Sequence, residues 1–254
     1  MAGTNNYSAP ALEKGLDIIE LLSDEEGGLV QNEIAQRLNR SVGQIFRMLE
    51  VLERRGYIHR SEDDGRYRVT LRLFELGHRN PPVRRLLTAA LPELRRLADT
   101  TGQSVHLSVY HDHRLLVVAQ TDGFRSMGFS VRLGAHFPFL PDRVSARVIT
   151  AFQDGERRER LLRELSKGMD AKARAGLDRT IARIAKVGYV SAPSDTVTGI
   201  VDICHPIFDA SGIAIAAMTV PYVRMRDNPT TLEETLRVAS AVAAAISKQL
   251  GYLR

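Results

Sequence analysis

Residues 42–55 read Val42-Gly43-Gln44-Ile45-Phe46-Arg47-Met48-Leu49-Glu50-Val51-Leu52-Glu53-Arg54-Arg55, and the rest of the chain takes its meaning from this stretch. Ile45, Leu49 and Leu52 recur at i, i+4 and i+7, with Met48 beside them, which predicts a helix with one buried stripe. Gly43, Gln44 and Arg47 lie off that stripe, near the helix start. Gly43 removes a side chain where another surface can approach. Gln44 and Arg47 are residue types that pair bidentately with adenine and guanine edges in the major groove. Ser41, three residues before Gln44, matches an S-x-x-Q capping box. An ordinary amphipathic helix with a solvated outer face would show the same stripe, so the flanks must decide.

The flanks favour nucleic acid. Ala11 to Leu22 reads as a helix, with Leu12, Leu16 and Ile19 on one face and Ile18 and Leu22 widening it. Ser23-Asp24-Glu25-Glu26-Gly27-Gly28 is a loop. Gln31 to Leu38 is a second, short helix burying Ile34, Ala35 and Leu38. Gly56 ends the third, as glycine commonly does. Tyr57–Arg60 and Arg66–Val69 read as two strands around Asp64-Gly65, a hairpin signal. Three helices and a hairpin make a winged helix-turn-helix, with the third helix in the major groove and the wing at a neighbouring groove or phosphate. Residues 1–10 read as a disordered arm.

Composition allows this without proving it. The chain has 254 residues, 44% hydrophobic and 26% charged, as in globular proteins. It has no apolar run long enough for a membrane span and no signal-peptide pattern. One cysteine, Cys204, excludes an internal disulfide framework and fits a reducing cytoplasm. The net charge is +5, yet residues 1–80 carry 11 Lys/Arg against 13 Asp/Glu, a net of −2. Residues 31–60 carry 6 Arg against 3 Glu, so any DNA contact must rest on a local patch.

With these segments in order, Ala11-Leu12-Glu13-Lys14-Gly15-Leu16-Asp17-Ile18-Ile19-Glu20-Leu21-Leu22 resembles the opening of IclR-family transcriptional regulators. Asn32-Glu33-Ile34-Ala35-Gln36-Arg37-Leu38 resembles the family's second helix. Phe46-Arg47-Met48-Leu49 and Leu52-Glu53-Arg54-Arg55-Gly56-Tyr57-Ile58 resemble its third helix and first wing strand. Asp64-Gly65-Arg66-Tyr67-Arg68-Val69 and Leu73-Phe74-Glu75-Leu76-Gly77 resemble the wing and the exit from it. The likeness continues through the second half. Departures are visible: Val30 stands where a capping Thr or Ser is usual, and Ser41-Val42-Gly43-Gln44 replaces the family's Pro-Lys-Ser-Thr.

The resemblance implies an α+β chain: a winged helix-turn-helix over 1–80, a linker helix over 81–101, and a GAF-like effector domain over 102–254 whose antiparallel sheet is flanked by helices. With α-helical docking in the groove, base contacts are expected from Gln44 and Arg47, and phosphate contacts from Arg40, Arg66 and the helix termini. Gln31, Asn32, Ser41 and Gly43 complete the expected DNA-facing set. The implied partners are a pseudo-palindromic double-stranded operator, a small-molecule effector and further copies of the chain, as dimers and tetramers. Effector binding would shift the placement of the DNA-binding domains in such an assembly.

Downstream, Leu71–His78 reads as a short helix broken at Asn80-Pro81-Pro82. Val83–Thr100 is an amphipathic helix that Pro92 should kink or divide. His106–Tyr110 and Leu115–Gln120 read as strands around the turn His111-Asp112-His113-Arg114, and Phe129–Leu133 as a third. Arg143–Phe152, Glu156–Leu165 and Leu177–Val187 are expected helices. Ile200–Phe208 and Ile213–Val220 form a hairpin, and Leu232–Leu250 is the closing helix.

Alternation sets Ile200, Asp202 and Cys204 on one face of a strand, and Val201, Ile203, His205 and Ile207 on the other. Ile215, Ala217 and Thr219 share a face of the next. Asp202 inside an apolar strand caps a turn, pairs with an arginine, or accepts from a ligand hydroxyl. The resemblance puts Asp202 and Thr219 at the effector pocket, with Cys204 in the same expected set, and has Pro141-Asp142-Arg143-Val144-Ser145 close it. Phe129 and Val131 belong to the same expected set. A helix N-terminus with Arg143 and Ser145 nearby suits a carboxylate. Asp202 and Arg143 together fit a hydroxylated or sugar-like acid, and Phe129 with Phe137 an aromatic one.

His111-x-His113 lacks a third ligand and reads as a solvated turn, and Cys204 reads as a small buried hydrophobe. No catalytic, metal or cofactor spacing is present. The rival reading is an enzyme or small-molecule binding module whose winged domain mediates protein contacts only.

Overall fold

The computed structural model describes residues 9–253, apart from the side chain of His78. The arm expected over 1–10 therefore lies mostly outside the described residues, and Pro10 already opens the first helix. The chain divides into two compact units between Val83 and Arg84.

The first unit holds α1 (Pro10–Ser23), α2 (Gln31–Arg37), α3 (Val42–Arg54), the hairpin strands β1 (Ile58–Arg60) and β2 (Tyr67–Val69), and α4 (Arg72–Arg79). Its core is Ile18, Leu22, Ile34, Ile45, Leu49 and Ile58, each at most 1% exposed. The expected stripe of α3 is therefore the one that is buried. The stripe of α1 is not. Leu12 and Leu16 are 62% and 49% exposed, and α1 packs instead through Ile18 and Leu22.

The hairpin pairs antiparallel, Ile58 with Val69 and Arg60 with Tyr67. The loop before α2 holds it down: Leu29 bridges Tyr67, and Gly28, at φ 67°, has no room for a side chain against Arg68 and the Tyr67 carbonyl.

The second unit takes in nearly all of α5 (Pro81–Thr101), which runs unbroken past Pro92. It then builds β3 (Val105–His111), β4 (Arg114–Thr121), β5 (His136–Pro138), α6 (Val144–Ala151), α7 (Gly155–Leu165), α8 (Ala171–Val187), β6 (Val190–Pro193), β7 (Ile200–Phe208), β8 (Ala214–Val223) and α9 (Leu232–Gln249). The strands form one antiparallel sheet in the order β5-β4-β3-β8-β7-β6.

Both faces of the sheet are covered, which explains its long apolar strands. On one face, Leu94 and Leu97 of α5 and Val242 and Ile246 of α9 share a core with Leu107, Ile203 and Met218. On the other, Val148 and Ile149 of α6 and Ile181 of α8 share a core with Cys204 and Ala217.

Two expectations fail here. Phe129–Leu133 is not a strand, and the edge strand is β5 instead. The apolar alternation in 129–133 arises because Phe129 and Val131 turn inward while Leu133 stays 65% exposed. Ile215 does not share a face with Ala217. A bulge pairs Ile207 with Ala216 and Phe208 with Ala214, so Ile215 joins the α5/α9 core and Ala217 the α6/α8 core.

Candidate functional site

Two sites are legible, one in each unit. In the first, Gly43, Gln44 and Arg47 stand exposed on α3, opposite its buried stripe. Arg40, in the turn before α3, is exposed as well. Neither Arg40 nor Arg47 has an ion-pair partner among the described residues. Asn32 is exposed on α2, while Gln31 is tied down: its Nε2 donates to the Val42 carbonyl at 3.2 Å, fixing α2 to the start of α3. Val42 and Phe46 are 46% exposed beside Gly43 and Arg47, two apolar side chains that charge-based reasoning passed over.

Ser41 occupies the N-cap of α3 but makes no capping bond, so the expected S-x-x-Q box does not form. The helix start is open to solvent, where water can serve its free N–H groups. At α2, where Val30 has no cap to offer, Glu33 reaches back and accepts the Val30 N–H at 3.0 Å.

The same Glu33 also engages Arg66. Arg66 donates to Glu33 at 3.0 Å and to the Gly28 carbonyl at 2.9 Å, so its guanidinium fastens the wing to α2. Arg68 pairs with Asp64 at 2.7 Å, and that pairing holds the Asp64 carboxyl well below the usual carboxylate range.

In the second unit, a cavity of about 100 Å³ lies between the sheet and the start of α6. Seven of the eight expected residues line it: Phe129 and Val131, then Asp142, Arg143 and Ser145, then Asp202 and Thr219. The eighth, Cys204, is fully buried just behind. Thr219 Oγ1 donates to its Sγ at 3.3 Å, and Ser145 Oγ lies 3.1 Å from Thr219 Oγ1. Burial pushes the Cys204 thiol up to about 12, so it is inert as a nucleophile.

Arg143 is the cation of this cavity. It occupies the N-cap position of α6, donates to the Thr196 hydroxyl and lies 5.6 Å from the centre of the Phe137 ring. Its Nε is buried and has no hydrogen-bond partner, and Asp142 stays 3.8 Å away. Arg147, one turn further on, is paired with Asp195 at 3.2 Å. Asp202 is half-buried, and burial raises its carboxyl above the ordinary range against a hydrogen bond from Ser194.

Sequence reasoning missed His106, Ser108 and the loop 194–197, all of which line the cavity. His106 is 8% exposed and neutral, pushed by burial down to about 4, and its Nδ1 is unpartnered. A larger groove of about 390 Å³ under α9, lined by His205, Phe208 and Tyr252 among others, gathers none of the expected residues.

A model of the IclR C-terminal domain of bacterial transcriptional regulators matches residues 83–248, and one of the IclR helix-turn-helix domain matches residues 11–62. The chain belongs to the IclR family of bacterial transcriptional regulators. Among curated proteins it is similar to the HTH-type transcriptional regulator KdgR of Escherichia coli, 25% identical over 96% of this chain and 94% of that one.

Among solved structures it is similar to the IclR of Thermotoga maritima, with a TM-score of 0.73 and 25% identity over 95% of this chain and 98% of that one. An IclR homolog from Microbacterium hydrocarbonoxydans, complexed with 4-hydroxybenzoate, shares the fold at a TM-score of 0.75 and 22% identity, over 94% and 98% of the two chains. This IclR-family protein thus joins a DNA-binding helix-turn-helix domain to a C-terminal effector domain. Its relatives are regulators of transcription rather than enzymes. Among the described residues, no helix is long and apolar enough to cross a membrane, and no cluster of metal-ligating side chains occurs.

Proposed function

We propose that this protein binds a pseudo-palindromic operator as a symmetric assembly, and that a small carboxylate held in the cavity under α6 controls its grip. Base reading falls to Gln44 and Arg47, with Val42 and Phe46 placed to meet thymine methyl groups. Arg40 and the helix termini supply phosphate contacts. Glu33 and Arg66 hold the wing at its angle to α2.

The observation that carries the effector reading is the buried, unpartnered Nε–H of Arg143 at the mouth of a cavity opening on a helix N-terminus. A carboxylate is the group that satisfies a guanidinium edge most directly. The class spans hydroxylated, sugar-like and aromatic acids. The relative in complex with 4-hydroxybenzoate supports an acid in general.

Arg143→Ala tests this. Operator affinity without ligand is expected to stay within about twofold of wild type, while the response to an effector acid disappears. A wild-type ligand titration from the variant would remove the cavity from the account.

A further inference from the structure

We propose that the effector is a short hydroxycarboxylate of about three or four carbons, whose hydroxyls are read by Asp202 and His106 while Arg143 takes the carboxylate. The proposal rests on the reading of this cavity as the effector site and narrows its ligand.

Three observations carry it. The first is size. The cavity, about 100 Å³, is smaller than the roughly 150 Å³ engineered cavity that holds benzene, so an aromatic ring bearing a carboxylate is oversized for it.

The second is the polar patch in the lining. His106 and Ser108 on β3, Thr219 on β8 and Asp202 on β7 line the cavity together with the apolar Phe129, Val131 and Phe137. Register places His106 opposite Thr219, and Thr219 opposite Cys204, two residues along β7 from Asp202 on the same face of the sheet. The polar groups thus sit on three consecutive strands, with Thr219 of β8 between His106 and Asp202.

The third is what those polar groups lack. His106 is more than nine-tenths buried with Nδ1 unpartnered. Asp202 accepts from Ser194 but forms no ion pair among the described residues, Arg147 being paired with Asp195. A hydroxyl both donates and accepts, so it can serve either a carboxyl or a neutral imidazole. A plain aliphatic or aromatic acid would seal the His106 Nδ1 away from water with nothing to bond and leave Asp202 with Ser194 alone.

The test compares acids of matched shape by calorimetric titration of the full chain: lactate and glycerate against propionate, which lacks the hydroxyl, alanine, which replaces it with an ammonium, and benzoate. A site built to bond a hydroxyl discriminates strongly against the analogue without it. Lactate and glycerate are expected to bind at least about tenfold more tightly than the other three. Asp202→Ala, with thermal unfolding checked, is expected to bring lactate within about threefold of propionate. If that variant fails to fold, His106→Ala makes the same comparison.

Propionate, alanine or benzoate binding as tightly as lactate would overturn the hydroxyl reading and leave the carboxylate site standing. Failure of every acid to bind, or binding indifferent to Arg143→Ala, would overturn both.

Discussion

At the scale of single residues, the sheet domain hides two imidazoles that cannot charge without cost. Burial pushes both His106 and His205 down to about 4 from an ordinary 6.5, and each has an unpartnered ring nitrogen. Between about pH 6.5 and 4 the unfolded chain takes up protons that the folded chain refuses. Stability is therefore full above this window and falls as pH drops through it, by roughly a few kcal/mol for each group. His205→Gln is expected to flatten the fall of the melting temperature between pH 7 and 4.5. Parallel curves for variant and wild type would place the acid sensitivity elsewhere.

The same histidines mark what the chain conceals at this scale. Asp202 stands out as a charge among apolar neighbours, and Arg143 by its place at the start of an expected helix. His106 and Ser108 do not, because a polar residue alternating along a strand reads as facing water. Only once helices are known to cover both faces does that alternation point into a cavity.

At the scale of elements, the wing depends on the loop that precedes α2. Gly28 sits at φ 67°, and a Cβ there would lie 2.6 Å from both Arg68 Cγ and the Tyr67 carbonyl oxygen. Gly28→Ala is therefore strained twice, by its backbone angle and by the contact, and is expected to cost about 2 kcal/mol or more. Urea unfolding would measure the loss. Hydrogen exchange at Tyr67 and Leu29, which bond each other through both backbone groups, would show whether the hairpin loosens. An unchanged midpoint and unchanged protection would mean the wing is anchored elsewhere.

Periodicity made the long elements legible, the buried stripe of α3 above all, although α5 runs unbroken past Pro92 and the bulge in the β7–β8 hairpin turns Ile215 to the other face. The short edge strands β5 and β6, of three and four residues, carry too few positions to alternate. The first turns of α8 are alanine and polar residues with no apolar stripe, so only its Asp170 N-cap, which accepts from Ala173 at 2.7 Å, marks the true start. The face of α1 was misread because Leu12 and Leu16, though apolar, meet nothing in the core.

At the scale of the molecule, charge constrains the account. The chain carries +5 overall, but the excess lies outside the DNA-reading unit, where residues 1–80 hold a net of −2. The wing loop adds Glu62, Asp63 and Asp64, and its arginines Arg66 and Arg68 are already paired. Affinity must then come from a few contacts around α3 rather than from a broad basic surface, with a correspondingly shallow dependence on salt. On the proposed reading, ligand and operator are coupled reciprocally: an acid that weakens DNA binding must itself bind more weakly once DNA is present.

The central claim is that exposed side chains on α3 read sequence. Its most direct test is to select genomic DNA fragments retained by the purified protein, then titrate those fragments against wild type and Arg47→Ala at matched salt. The expected result is enrichment of fragments sharing an inverted repeat, with half-sites about 10–10.5 base pairs apart or a multiple of that. Arg47→Ala should lose roughly 1–3 kcal/mol of affinity for them. Retention no better than for random DNA, or full affinity in the variant, would contradict the account.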